Sequence, residues 1–505
     1  MLNQKSPSLW PISRAQRPRQ EAVIDIGSNS VRMVVYQIDG RSMVPRMNEK
    51  VMAGLGKDLS ETGRLSVSGV EAALKALARY SAICSSLGVT HVTAIATAAA
   101  RDAEDGPEFC EAIERVSGFK VRILSGVEEA KFAALGVVAA QRDPVGLIGD
   151  LGGSSLELIH TERGALGEGR TYKLGPLALQ DRDEGGAAKL EAYVTETLTA
   201  QGGIAQCPNF YAVGGAWRAI ASLHMELNNY PLRVLQAYTI PASEAIELCD
   251  LIMDRKKRPD SLIKSVAGKR AATLEYTALA LKCVLKLSGA EQMITSANGV
   301  REGFVFDGMD PETKTLDPLF AGVSRLARLD QRQIGFARGL QVFTADILAA
   351  LPSVFPDDPQ TEKRLHEAAF ILADIGAIMH PDHRSDIARQ IVLRGPYTGT
   401  NHAGRIYLGL ITGIRYYRKF EAGELEQGRL TAEQIDRAKT IALLIRVAAE
   451  FSGRTERILK RASIRIEGDQ LIFALQKRHQ NLISEGVIKR LGHAAAHMGL
   501  TPVVE

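Results

Sequence analysis

Cysteine is scarce in this chain. There are five among 505 residues, Cys84, Cys110, Cys207, Cys249 and Cys283, scattered, odd in number and without a CxxC pair. That excludes a disulfide framework and suits a reduced compartment, with all five read as packing residues. Net charge is nearly absent as well: 62 Lys and Arg stand against 58 Asp and Glu, a balance of +4. Nucleic acid is therefore not the default partner, and any basic site must be local. No apolar run approaches the ~20 residues that a membrane span requires, since "IALLIRVAAEF" carries charge inside. The first residues, "MLNQKSPSLWPISRAQRPRQ", lack an apolar h-region and read as a disordered arm. The expectation is a cytoplasmic protein with no membrane partner. What the chain does have is length and 45% hydrophobic residues, enough for three or four domains.

It also repeats itself. "AVIDIGSNSVRMVVYQI" (residues 22–38) and "GLIGDLGGSSLELIH" (residues 146–160) are both an apolar β-like run, a Gly/Ser turn and a second run. Asp25-Ile26-Gly27-Ser28-Asn29-Ser30-Val31 superposes on Asp150-Leu151-Gly152-Gly153-Ser154-Ser155-Leu156, an offset of 150 − 25 = 125 residues. Glycine lets the backbone approach a ligand, and successive N–H groups with Ser hydroxyls cradle phosphate. One such loop is as easily a plain hairpin turn. Two in register point to two adjacent phosphates. Each loop is followed by alternating strand and helix patterns ("HVTAIATAAARDA", "VEEAKFAALGVVAAQ", "NFYAVGGAWRAIASL"), the texture of an α/β fold. After residue 309 long amphipathic helices take over, and "SIRIEGDQLIFAL" reads as a late β-hairpin turning at Glu467-Gly468-Asp469.

Together these motifs resemble the superfamily of actin, heat-shock chaperone ATPases and sugar kinases, and more closely its exopolyphosphatase and guanosine pentaphosphate phosphatase branch. The first loop is similar to D-x-G-S-N-S, the second to D-x-G-G-G-S-x-E (Asp150 to Glu157), "TAAAR" to T-x-x-x-R, "LSGVEEAKF" to I-S-G-x-E-E-A-R and "GVREG" to G-x-R-E-G. Ser154 and Lys131 depart from it, standing where the branch has Gly and often Arg. The resemblance implies two duplicated RNase H-like (actin-like ATPase) domains facing a cleft, plus a mostly helical, HD-like C-terminal region. The divisions expected are residues 1–20 (arm), 21–143, 144–309 and 310–505.

Ser125 and Glu128 have capping-box spacing, which gives Glu128 a structural task. Glu129, about 100° further round the helix, is free to point elsewhere. The resemblance places the catalytic glutamate there, so Glu129 is expected to be the base that activates water. Arg101 is expected to supply a forked cation to the transferring phosphoryl group. Gly27, Ser28, Asn29 and Ser30, with Gly152, Gly153, Ser154 and Ser155, would hold the terminal and penultimate phosphates. Asp150 and Glu157 would hold Mg²⁺ directly or through water, with Asp25 sharing that role or orienting the water. A monovalent cation such as K⁺ is left open. The basic stretch "RKKRPDSLIKSVAGKR" (residues 255–270) and the group around Arg454, Arg457, Lys460, Arg461, Lys477 and Arg478 are either solvated faces or guides for a polyanion.

The helical region is rich in His and Asp, yet Ala373-Asp374 occupies the place of an HD pair, so His366, His380, His383 and His402 are not expected to form a metal centre. The favoured activity is exopolyphosphatase, releasing orthophosphate from the end of inorganic polyphosphate. The alternative substrate is guanosine pentaphosphate. Two rivals remain: an ATP-dependent kinase-like ATPase of the same fold, and a catalytically silent binder. A homodimer is expected from the resemblance alone.

Overall fold

Alternation of side chains decides the first sheet. The computed structural model describes residues 18–183, 186–200, 202–328, 330–356 and 358–505. Most of the arm expected over residues 1–20 lies outside the described residues, and its last two residues already belong to β1 (Arg19–Ile26). β1 pairs antiparallel with β2 (Val31–Asp39), which pairs with β3 (Ser42–Val51). On the other side of β1 lie β4 (His91–Ala96) and then β5 (Val121–Ile123), both parallel to it. One face, with Ile24, Ile26, Val31 and Met33, packs on Leu77, Tyr80 and Ile113. These come from helices Val67–Leu87 and Gly106–Ser117. The other face presents Val23, Val34, Tyr36 and Ile38.

The second sheet repeats the plan. β6 (Gly146–Leu151) forms a hairpin with β7 (Leu156–Glu162), whose far edge carries β8 (Ala165–Leu166) and β9 (Arg170–Tyr172). β10 (Asn209–Val213) runs parallel beside β6; then come β12 (Gln292–Thr295) and an antiparallel edge strand, β11 (Thr239–Pro241). In both sheets the first strand thus lies between its antiparallel hairpin partner and a parallel strand, in the orders β3-β2-β1-β4-β5 and β8-β7-β6-β10-β12-β11. This is the duplicated α/β, actin-like architecture.

Two helices cross between the halves. Gly126–Ala140 buries Ala130, Ala133, Ala134 and Val137 against Ile148, Ile159, Tyr211 and Val213 of the second sheet. Val300–Asp307, which follows β12, instead packs Val305 and Phe306 on the first sheet. The helices meet through glycine: a Cβ on Gly303 would fall 1.8 Å from the Phe132 carbonyl oxygen, while Phe132 and Phe304 stack at 3.7 Å. The halves drawn at 143/144 and 309/310 are therefore crossed by these two helices, because each finds its apolar face on the other half's sheet.

Residues from Leu319 onward form a separate compact unit. It is built on helices Gln331–Ala350, Pro359–Leu372, Arg384–Arg394, His402–Tyr416 and Ala432–Ser452. The hairpin of β13 (Ala462–Glu467) and β14 (Gln470–Leu475) follows, with β15 (Thr501–Val504) parallel to β14. Asp374 is buried between Arg332 at 2.6 Å and Arg454 at 3.1 Å. His366 Nε2 lies 3.0 Å from the Tyr407 hydroxyl, and its pKa is pushed down to about 3 by burial and by Arg437. Among the described residues no three His, Cys, Asp or Glu side chains converge as a metal site, and no helix is long and apolar enough to cross a membrane.

Candidate active site

The two hairpin loops are alike down to single hydrogen bonds. In the first, the Gly27 N–H donates to Ser30 O (3.0 Å), and in the second the Gly152 N–H donates to Ser155 O (2.9 Å). A brace closes each from outside: Gly54 and Gly56 donate to Asn29 O and Ser28 O, as Gly175 and Leu177 donate to Ser154 O and Gly153 O. These bonds use up carbonyls. The N–H groups of Ser28, Asn29, Gly153 and Ser154 donate to no protein acceptor among the described residues, which leaves them for an anion.

Gly175 shows how tight the brace is. A Cβ there would stand 2.4 Å from the Ser154 carbonyl carbon and 2.5 Å from the Ser155 nitrogen. Gly175→Ala is expected to push the second loop out of place and lower kcat/KM about 100-fold in a phosphate-release assay, with the circular-dichroism spectrum unchanged.

Both loops line one cleft of about 700 Å³. Six cationic side chains share it, namely Arg32, Lys50, Arg218, Lys269, Arg270 and Arg301, against three carboxylates, Asp25, Glu129 and Asp150. The cations crowd one another: burial, then Arg270 and Arg32, hold the Lys50 pKa below its ordinary value, and burial and Arg301 do the same to Arg32 and Arg218. Such mutual repulsion is relieved by a bound polyanion. Arg301 is the exception. Although burial opposes its charge, Glu302 and Asp25 keep it firmly protonated, and its Nη1 lies 3.5 Å from Asp25 Oδ2. Glu302 itself is fixed by the Tyr36 hydroxyl and the Gly299 N–H.

The adjacent glutamates separate as their positions on the helix require. Glu128 closes the capping box with Ser125 and pairs with Arg122, and the Ser125 N–H with these partners brings its pKa down to about 2. Glu129 is buried on the cleft wall. Burial, then the charges of Asp150 and Asp25, push its pKa up to about 8 against the pull of Arg101. Arg101 lies beside Glu129 rather than on the cleft lining. Its guanidinium is committed to Asp102 (3.0 Å), the Leu124 carbonyl (3.1 Å) and Glu129 (3.6 Å), and it does not line the cleft. It is carried by the last turn of the short helix Ala98–Asp102, which follows β4.

The expected metal ligands are also split. Asp25 and Asp150 line the cleft, and burial raises both, Asp150 to about 6 with Asp25 adding to it. Glu157, directly opposite Asp150 in the β6–β7 ladder, is only 1% exposed and does not reach the cleft. Burial and repulsion from Glu129 and Asp150 push it well above the usual carboxylate range. The nearby Ser155 hydroxyl eases it down, yet neither Glu157 oxygen has a partner in hydrogen-bond geometry. Among the described residues no three carboxylates converge on one point, so the set fits a hard cation held by one or two carboxylates, waters and phosphate oxygens rather than a protein cage.

Of the cleft cations, Lys269 and Arg270 lie in the basic stretch already singled out, whereas Arg32, Lys50 and Arg218 escaped the sequence reading, although a signal for the first two was present. Extending the 125-residue overlay to 157 − 125 = 32 pairs Glu157 with Arg32, and the register continues Asp25–Arg32–Lys50 across three strands. Of the basic stretch 255–270, Arg255 and Arg258 are tied to Glu275 while Lys269 and Arg270 line the cleft.

A duplicated α/β fold with paired oxyanion loops under a cationic cleft defines a phosphate-handling protein of actin-like architecture. Residues 34–312 match the Ppx/GppA phosphatase family and residues 319–501 the family "Exopolyphosphatase, C-terminal". The chain belongs to the Ppx/GppA phosphatase family. Among its relatives, Retrograde regulation protein 2 of Saccharomyces cerevisiae is 23% identical over 440 residues, 78% of this chain and 72% of that one. Guanosine-5′-triphosphate,3′-diphosphate pyrophosphatase of Aeromonas hydrophila is 23% identical over 473 residues, 90% and 92% of the two chains. The crystal structure of an exopolyphosphatase from Cytophaga hutchinsonii shares the fold, with a TM-score of 0.52 and 21% identity over 58% of this chain and 99% of that one.

Proposed function

We propose that this protein hydrolyses the terminal phosphoanhydride of inorganic polyphosphate, releasing orthophosphate with the help of Mg²⁺. The observation that carries this reading is the cleft itself: two oxyanion loops at one site with six cations around them. Among the described residues no aromatic side chain lines it, so it offers a repeating anion many partners and a purine ring no stacking platform. Glu129 would take the proton of the attacking water, and Arg101 would orient Glu129 from behind. The loops 27–30 and 152–155 would hold the last two phosphates in line. Bound at Asp150 and Asp25, Mg²⁺ would neutralise phosphate oxygens. We carry a cytoplasmic homodimer as part of the same proposal.

Guanosine pentaphosphate is the second reading, favoured by the near full-length match to the Aeromonas hydrophila relative. The test is orthophosphate release from long-chain polyphosphate and from guanosine pentaphosphate, side by side, with a Glu129→Gln control. Release from polyphosphate that vanishes in the control supports the first reading; release from the nucleotide alone replaces it. If the cleft cations hold the chain, KM for polyphosphate rises with salt, and Lys269→Ala with Arg270→Ala raises KM about tenfold while flattening that dependence.

A further inference from the structure

We propose that a second cavity, behind Glu129, is the exit site for the orthophosphate formed in the cleft; this rests on the hydrolase reading above. The cavity is about 600 Å³, and its lining includes Arg101, Ser125, Val127, Glu168, Arg170 and Thr171. None of these six lines the main cleft. Arg101 nevertheless reaches within 3.6 Å of Glu129, which does line it, so the Arg101–Glu129 pair is a partition between the two spaces.

A second line of residues crosses the same wall. Asp150 pairs with Glu157, and Glu157 with Thr171, in adjacent ladders. Asp150 faces the cleft, Thr171 faces the rear cavity and Glu157 is buried between them. Both Glu157 oxygens, Thr171 Oγ1 and Glu129 Oε2 are buried without hydrogen-bond partners. Buried polar atoms are rarely left so, and a wall carrying four of them is built to meet water or a polar solute rather than hydrocarbon.

Orthophosphate is the solute that needs this path. Hydrolysis breaks the terminal P–O–P bridge; the water oxygen stays on the departing phosphate and the bridging oxygen stays on the shortened chain. The shortened chain still occupies the front, held by the cleft cations, so the released phosphate is enclosed between it and Glu129. Behind Glu129 it meets two guanidinium groups, Arg101 and Arg170, which keep N–H groups for an oxyanion beyond those that bond Asp102, the Leu124 carbonyl and the Gly203 carbonyl. Glu168 on the rim opposes them and keeps retention weak, as an exit requires.

The experiment compares single-turnover cleavage with steady-state phosphate release in Val127→Trp, which fills the mouth of the cavity from an exposed position, and in Arg170→Glu, which reverses its charge. The expected result is cleavage within about twofold of wild type, steady-state release down about tenfold, and a new burst of about one orthophosphate per site. Steady-state rates that stay at the wild-type value in both variants would overturn the proposal. Slower single-turnover cleavage without a burst would overturn it too, making the cavity a water inlet. Wild-type protein that cleaves neither polyphosphate nor nucleotide would remove the hydrolase reading and this proposal together.

Discussion

Glu129→Gln is expected to lower turnover about 1,000-fold while leaving polyphosphate affinity within a few-fold of wild type. The glutamine keeps the shape of the side chain and removes the proton acceptor, and the phosphate loops and cleft cations that hold the substrate are untouched. Glu128→Gln, one residue away, should cost at most ~1 kcal/mol of stability through its cap and leave turnover nearly unchanged. Equal losses of activity in the two variants would show that neither position is the base. Because Glu129 is raised to about 8 by burial, Asp150 and Asp25, wild-type turnover should also fall as pH is lowered through that value.

The same residue should make the protein less stable as pH rises. Folded Glu129 holds its proton up to about pH 8, whereas an unfolded glutamate releases it near 4.5. Between these values the folded state binds more protons, so its stability is full below about 4.5 and declines as pH rises through about 8. Glu129→Gln removes its share of that slope and should be ~1–2 kcal/mol more stable than wild type at pH 8.5, the usual relation between a catalytic group and the fold that carries it. Thermal melts at pH 5 and pH 8.5 test this directly, since the wild type should lose more ground between them than Glu129→Gln, whose remaining decline comes from Asp150 and Glu157.

The loops and the glutamate pair were legible because each depends on local spacing: Asp, Gly and Ser repeat at one offset, and Ser125 to Glu128 spans one helical turn. Longer-range features were not. Nothing local tells helix 126–140 to bury Ala133 and Val137 on the second sheet, or helix 300–307 to bury Val305 on the first. Both are apolar on the correct face for either partner. The placement of Arg101 was not legible for a related reason: a T-x-x-x-R spacing sets where the arginine leaves its helix and not which side of Glu129 it reaches. Glu157 was half legible. Its hairpin register places it opposite Asp150, but the register alone does not say that Asp150 lines the cleft while Glu157 is buried away from it.

Asp150→Asn is expected to abolish phosphate release to the same extent as loss of the base, and to uncouple the fold from divalent cations. Asp150 is held at about 6 by burial and by Asp25, and it in turn raises both Glu129 and Glu157. At pH 8 the wild-type protein therefore carries repelling charge in a buried place, and a cation that binds there stabilises the folded state by mass action. Millimolar Mg²⁺ should raise the wild-type Tm by about 3 °C at pH 8 and by much less at pH 5, where the carboxylates hold protons. With asparagine the Asp150 share of the repulsion is gone and so is one of the two ligands: the metal-free Tm should rise and its response to Mg²⁺ should vanish. An undiminished Mg²⁺ response in Asp150→Asn would place the cation elsewhere, on Asp25 alone or away from the cleft. A lost response with turnover intact would show that the cation steadies the fold and takes no part in the chemistry.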